Sequence, residues 1–173
     1  PPPGQLPGGT ERGRPCSTEE PGFCTEQLPS RPQAADPVVF AGSPPRGAAA
    51  PGYADMVREL PKLDVTTIVD TDGDPLRHAV RAEPDVISPN VLEAEELVGH
   101  EFNDDEDRLI AVGEMVEQGA REAIMTLEDG CVACVLVDGH PQRFRVSVPT
   151  REDVAGVGAG DAFLAGYAAA RYS

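Results

Sequence analysis

The feature that most constrains this chain is an alternation of short apolar runs with stretches of helical periodicity. Val38-Val39-Phe40-Ala41 is an apolar run at strand length. Tyr53, Met56, Val57 and Leu60 then recur at i, i+3, i+4 and i+7, one apolar face of a helix. Thr66-Thr67-Ile68-Val69-Asp70 reads as a second strand, and Asp74-Pro75 supplies an N-cap and a first-turn proline for a helix to about Ala82. Asp85 to Ser88 is a third strand, followed by a short helix from Pro89-Asn90 to near Val98-Gly99. A longer helix runs from Asn103, with Glu106 at capping spacing, to about Gln118, where Gly119 stops it. Ala123-Ile124-Met125-Thr126 is a fourth strand.

Strands that alternate with helices imply right-handed crossovers and a parallel sheet, with ligands beyond the carboxyl ends of the strands. From Gly130 the pattern changes. Cys131 to Val137 and Gln142 to Val148 form two strands joined through Asp138-Gly139-His140-Pro141, an antiparallel hairpin added to one side of the sheet. The expected fold class is therefore α/β, a mostly parallel sheet flanked by helices. Residues 1 to 37 hold half of the chain's 18 prolines and no apolar periodicity, so they read as a disordered leader, with the folded domain at 38 to 173.

The hairpin delivers the chain to Gly156-Val157-Gly158-Ala159-Gly160-Asp161, with small and apolar residues behind it that read as a helix. Glycines at a helix start leave backbone N–H groups uncovered where the helix dipole is positive, the place where a phosphate is most easily held. A carboxylate beside such an anion hole suggests phosphoryl transfer.

A net charge of −16 and a single lysine, Lys62, argue against nucleic acid and against an anionic membrane surface as partners. No apolar run approaches the roughly 20 residues of a membrane helix, and the start lacks the order of a signal peptide, so the expectation is a cytoplasmic protein. Cys131 and Cys134 form a C-x-x-C, but residues three apart on a strand point to opposite faces, which suits two small core residues better than a metal. Cys16 and Cys24 have no further ligand at metal spacing.

Four motifs together resemble the ribokinase-like sugar kinases, in the phosphofructokinase B branch that holds 1-phosphofructokinases and tagatose-6-phosphate kinases. Gly158-Ala159-Gly160-Asp161 followed by Ala165-Gly166 resembles the C-terminal signature, and Gly42 to Gly47 resembles a Gly-Ser-Leu-Pro-x-Gly loop. Asp70-Thr71-Asp72-Gly73 is similar to an Asp-x-Ser-Gly strand end, and Pro89-Asn90-Val91-Leu92-Glu93 to a Pro-Asn-x-x-Glu segment.

The resemblance implies a three-layer αβα kinase domain that moves the γ-phosphoryl group of ATP to a hydroxyl of a sugar phosphate. Asp161 is then the base, and the N–H groups of Gly158, Ala159 and Gly160 the anion hole. Asn90 and Glu93 place Mg²⁺ and the phosphates, Glu93 through water and with no direct protein ligand to the metal, while Thr126 and Gly130 lie in the nucleotide loop. The residues alone keep other readings open. Asn90 and Glu93 have capping-box spacing, Asp161 suits a helix first turn, and Asp70 with Asp72 fits an Asx-type turn. Residues 1 to 37 resemble no part of the family's N-terminal region and the chain stops at Ser173, so the alternative expectation is a truncated, non-catalytic remnant that at most binds nucleotide or a partner.

Overall fold

The computed structural model describes residues 37–43, 52–60, 65–149 and 158–172. Nearly all of the leader, Pro44 to Gly47 of the glycine-serine loop, Cys16, Cys24, and Gly156-Val157 lie outside them. Among the described residues, six strands and five helices follow in the order β1 (Val38–Ala41), α1 (Gly52–Glu59), β2 (Thr67–Asp70), α2 (Gly73–Val80), β3 (Val86–Ile87), α3 (Val91–Val98), α4 (Asp105–Glu117), β4 (Glu122–Leu127), β5 (Gly130–Val137), β6 (His140–Ser147) and α5 (Ala159–Tyr172).

The six strands form one sheet in sequential order. β1 to β4 are parallel, with Phe40 opposite Val69, Val69 opposite Ile87, and Ile87 opposite Ala123. β4, β5 and β6 are antiparallel. Parallel strands laid down one after another by right-handed crossovers put every connecting helix on the same face. Phe40, Val69, Ile87, Ala123, Met125, Val132 and Cys134 accordingly pack with buried residues of α1 to α4 in one core. The alternate residues Ile68, Val86, Ile124, Cys131 and Ala133 form a second core under α5, through Leu164 and Ala168. The layers are thus αβα, with a hairpin at one edge, as the alternation predicts. Cys131 and Cys134 stand in opposite cores as free, buried thiols, the arrangement their spacing requires.

Most strand ends shift by a residue or two from the sequence reading, and three boundaries change the local chemistry. α2 begins at Gly73, so its N-cap is Asp72 rather than Asp74, and Pro75 falls third in the helix, where its missing N–H has no intrahelical acceptor to lose. Asp72 makes no side-chain cap, because its Oδ1 accepts a 2.9 Å hydrogen bond from Ser43 Oγ. α4 is capped by Asp104, one residue beyond the expected Asn103. Asp104 accepts from the Asp107 N–H at 3.0 Å, while the Asp107 carboxylate reaches back to the Asn103 N–H at 2.8 Å. The hairpin turn has only two residues, Asp138 and Gly139, with φ of 51° and 76°, and both signs match a type I′ turn. His140 and Pro141 therefore belong to β6, where an edge strand tolerates a proline.

Gly130 opens β5 at φ 143°, and a side chain there would drive into the Val146 carbonyl oxygen of the neighbouring strand. Both the backbone conformation and the close approach demand glycine. We expect Gly130→Ala to cost at least about 2 kcal/mol in denaturant unfolding, from backbone strain plus displacement of β6. A loss under about 0.5 kcal/mol would mean that the strands part without penalty.

Candidate functional site

The carboxyl ends of β1 to β4 line one edge of the sheet, and the strand pairing itself assembles the polar residues there. The Gly42 N–H donates to the Asp70 carbonyl at 2.8 Å, joining the loop after β1 to the end of β2. The Ser88 N–H donates to the Val69 carbonyl at 3.0 Å, and the Thr126 N–H to the Pro89 carbonyl at 3.0 Å. This last bond continues the ladder beyond β3 and sets Asn90 beside Thr126 as a parallel bridge.

Asn90 caps α3. Its Oδ1 accepts from the Glu93 N–H at 3.0 Å, while the two Glu93 carboxylate oxygens accept from the Asn90 N–H at 2.9 Å and from Asn90 Nδ2 at 2.6 Å. The capping reading of this pair is therefore realised in full. Burial pushes the Glu93 carboxyl above its ordinary range, the Asn90 hydrogen bonds pull it back, and the nearby Asp72 charge raises it again.

Asp70, read from the sequence as part of a strand-end motif or an Asx-type turn with no site role of its own, stands at this edge. It ends β2 on the face opposite Val69, toward α5. Its carboxyl is raised to about 6, chiefly by burial, then by the charges of Glu93 and Asp161. Three acids from β2, α3 and α5 thus share one electrostatic environment. The signal was present in the sequence as an acid at the last position of a buried strand, a position that the alternation sends toward the carboxyl edge. Thr71, the next residue, is buried, and its hydroxyl has no hydrogen-bond partner among the described residues.

Asp161 lies exposed in the first turn of α5. Gly158 precedes the helix with φ 82° and accepts the first intrahelical bond, from the Ala162 N–H at 3.0 Å. The N–H groups of Ala159, Gly160 and Asp161 then have no intrahelical acceptor, and such a helix start is where anions are most readily held. Gly130 is less directly placed. It sits across the β4–β5 turn opposite Leu127, and Arg145 anchors that turn by gripping both oxygens of Asp129 at 2.7 and 2.6 Å and Asp105 Oδ2 at 3.0 Å. Asn90, Glu93, Thr126 and Asp161 are therefore gathered at one edge, with Gly130 at the turn that borders it.

A sequentially ordered parallel sheet with an appended hairpin, a glycine-led helix start and acids at its carboxyl edge defines a ribokinase-like α/β domain. Residues 24–173 match the family described as pfkB family carbohydrate kinase, and the chain belongs to that family. It is 34% identical over 131 residues to a 1-phosphofructokinase of Borreliella burgdorferi, covering 75% of this chain and 41% of the relative. It is 32% identical over 138 residues to a tagatose-6-phosphate kinase of Staphylococcus epidermidis, covering 77% of this chain and 43% of the relative. The fold matches phosphofructokinase-2 of Escherichia coli in complex with fructose-6-phosphate at a TM-score of 0.72 and 23% identity, over 84% of this chain and 48% of that one. The chain spans about two fifths of the length of these curated relatives.

Asp70 supplies a test of the shared electrostatics. Its folded-state pKa lies above the unfolded value of 3.8, so ionising it costs folding stability that is absent where both states are protonated, below about pH 3, grows as pH rises through the unfolded value, and is fully present above the folded value of about 6. Asp70→Asn removes that cost. We expect the variant to be more stable than the parent by about 1–2 kcal/mol at pH 8, after allowance for solvent screening, and the gap to shrink below pH 6 and close by about pH 3. Thermal unfolding across that range checks it, and a gap independent of pH would rule the coupling out.

Proposed function

We propose that this chain carries the phosphoryl-transfer portion of an ATP-dependent sugar-phosphate kinase acting on a phosphorylated hexose such as fructose 1-phosphate. The observation that carries the reading is the convergence of Asp161, Asp70 and Glu93 beside the glycine-led start of α5. Membership of a carbohydrate kinase family, and the printed activities of the relatives, support the choice of chemistry.

In the proposed reaction the Asp161 carboxylate takes the proton from the attacking sugar hydroxyl as its oxygen bonds to the γ-phosphorus, and the bond to the ADP oxygen breaks. Gly158, Ala159 and Gly160 form a glycine-rich turn without bulky side chains, which lets the N–H groups at the helix start approach the equatorial oxygens and hold the charge that develops there. Asn90 has its Oδ1 and one Nδ2 hydrogen engaged with Glu93, which would leave the second Nδ2 hydrogen for the phosphates, and Thr126, bridged to Asn90, would border the same nucleotide position with Gly130.

The donor set suits Mg²⁺. Asp70 and Glu93 are carboxylates raised by burial and then by neighbouring acids, Glu93 and Asp161 around Asp70 and Asp72 around Glu93, a cost that a divalent cation offsets, and Glu93 would hold the ion through water. When bound, Mg²⁺ supplies neutralisation of the triphosphate, which a chain of net charge −16 otherwise repels.

With MgATP and fructose 1-phosphate, we expect Asp161→Asn to lower turnover by roughly 10²-fold or more while ATP affinity by calorimetry stays within about threefold. Unchanged turnover in the variant would remove Asp161 from the role of base. Calorimetric binding of MgATP by the parent chain without any phosphoryl transfer would instead support a nucleotide-binding remnant.

A further inference from the structure

α5 is attached to the sheet by few apolar contacts. Only Leu164 and Ala168 are buried, with Phe163, Tyr167 and Tyr172 packed at the margin. Burying one leucine contributes about 1.5–3 kcal/mol, but such contact has no direction and leaves the helix free to slide or turn on its axis.

The directional contacts lie at the other end of α5 from Asp161. Glu122, the first residue of β4, is 4% exposed. Its Oε2 accepts from the Tyr167 hydroxyl at 2.6 Å, and its Oε1 accepts from Arg171 Nη2 at 2.8 Å and from the Leu136 N–H at 3.0 Å. Arg171 Nη2 also donates to the Leu136 carbonyl at 3.1 Å, and the Tyr172 ring meets Tyr167 edge-on at 6.3 Å. Burial and the hydrogen bond to Glu122 raise the Tyr167 phenol, so it stays protonated and donating throughout the physiological range. A buried carboxylate deprived of such donors is strongly destabilised, so Glu122 holds α5 in one place.

Asp161, Leu164, Ala168 and Arg171 follow one another at i, i+3, i+7 and i+10 and share one stripe of the helix. Fixing Arg171 therefore fixes the direction in which Asp161 points. The helix rises about 1.5 Å per residue, so a slip at the Arg171 end carries undiminished to Asp161, some 15 Å away.

We propose that Glu122, through Tyr167 and Arg171, is the positioning residue that sets the axial register and rotation of α5, and with them the place of Asp161 over the carboxyl edge. The catalytic consequence rests on the reading of Asp161 as the base, whereas the positional statement does not.

Amide hydrogen exchange followed by mass spectrometry tests it on the full chain, comparing the parent with Tyr167→Phe, which removes one hydroxyl, and with Glu122→Gln. Peptides across residues 123–126 of β4 serve as the internal reference for global unfolding. Exchange at Ala162 to Ala165 is expected to quicken about tenfold or more relative to that reference, together with 167–172. Quickening confined to 167–172, or equal in α5 and β4, overturns the proposal. A turnover insensitive to Asp161→Asn would overturn the base assignment alone and leave the exchange result to decide the positioning role.

Discussion

The handedness of the β–α–β crossover governs this domain. Three successive right-handed crossovers carry the chain across the sheet in strand order, so α1 to α4 cover a single face and all four parallel strands end at the same edge. The acids and amides contributed by β2 to β4 reach that edge on the strands themselves or within a few residues of a strand end. Asp70 and Asn90 stand where β2 and β3 finish, and Thr126 lies near the end of β4, because a strand that alternates its side chains between two cores leaves its last residue at the rim. The polar rim is thus a by-product of the same geometry that builds the apolar core.

Among the described residues, four helices serve one face and α5 serves the other. A single helix cannot span six strands, and described residues in register with the second core stay exposed at both sides. Val39 of β1, paired with Ile68, is 43% exposed; Phe144 and Val146 of β6, opposite Ala133 and Cys131, are 41% and 49% exposed. Apolar area on this face thus stabilises α5 only over the central strands. The polar grip of Glu122 on Tyr167 and Arg171 compensates for that thin contact, and it explains why a charged residue occupies the otherwise apolar start of β4.

Much of this arrangement was legible in the sequence because it rests on periodicity. Apolar runs of strand length, helical spacing between them and the Asp138-Gly139 turn each reflect local physics that the fold does not override. The C-x-x-C spacing assigned its two thiols to opposite cores for the same reason. The errors were of another kind. Asp74-Pro75 and Asn103 were plausible caps one or two residues from the true ones; at α2 the capping side chain of Asp72 is taken by Ser43, a contact 29 residues away, and at α4 the local Asp104–Asp107 bond won over Asn103. Glu122 gave no periodic signal at all, since its three partners lie 14, 45 and 49 residues away in sequence. Asp70 was visible as a strand-end acid, but its coupling to Asp161 arises across a sequence gap that only the sheet closes.

The Asn90–Glu93 pair shows why a structural and a chemical role need not compete. Each Glu93 carboxylate oxygen accepts one hydrogen bond from Asn90, one from its backbone and one from its side chain. A carboxylate oxygen has two lone pairs, so each keeps one for a metal-bound water. The capping box meanwhile locks both side chains in a single rotamer at the start of α3, beside Thr126 and facing the charge of Asp70. In the proposed kinase such a cap would be the rigid support of a water-mediated cation site, with the entropy of ordering Glu93 met on folding rather than on binding.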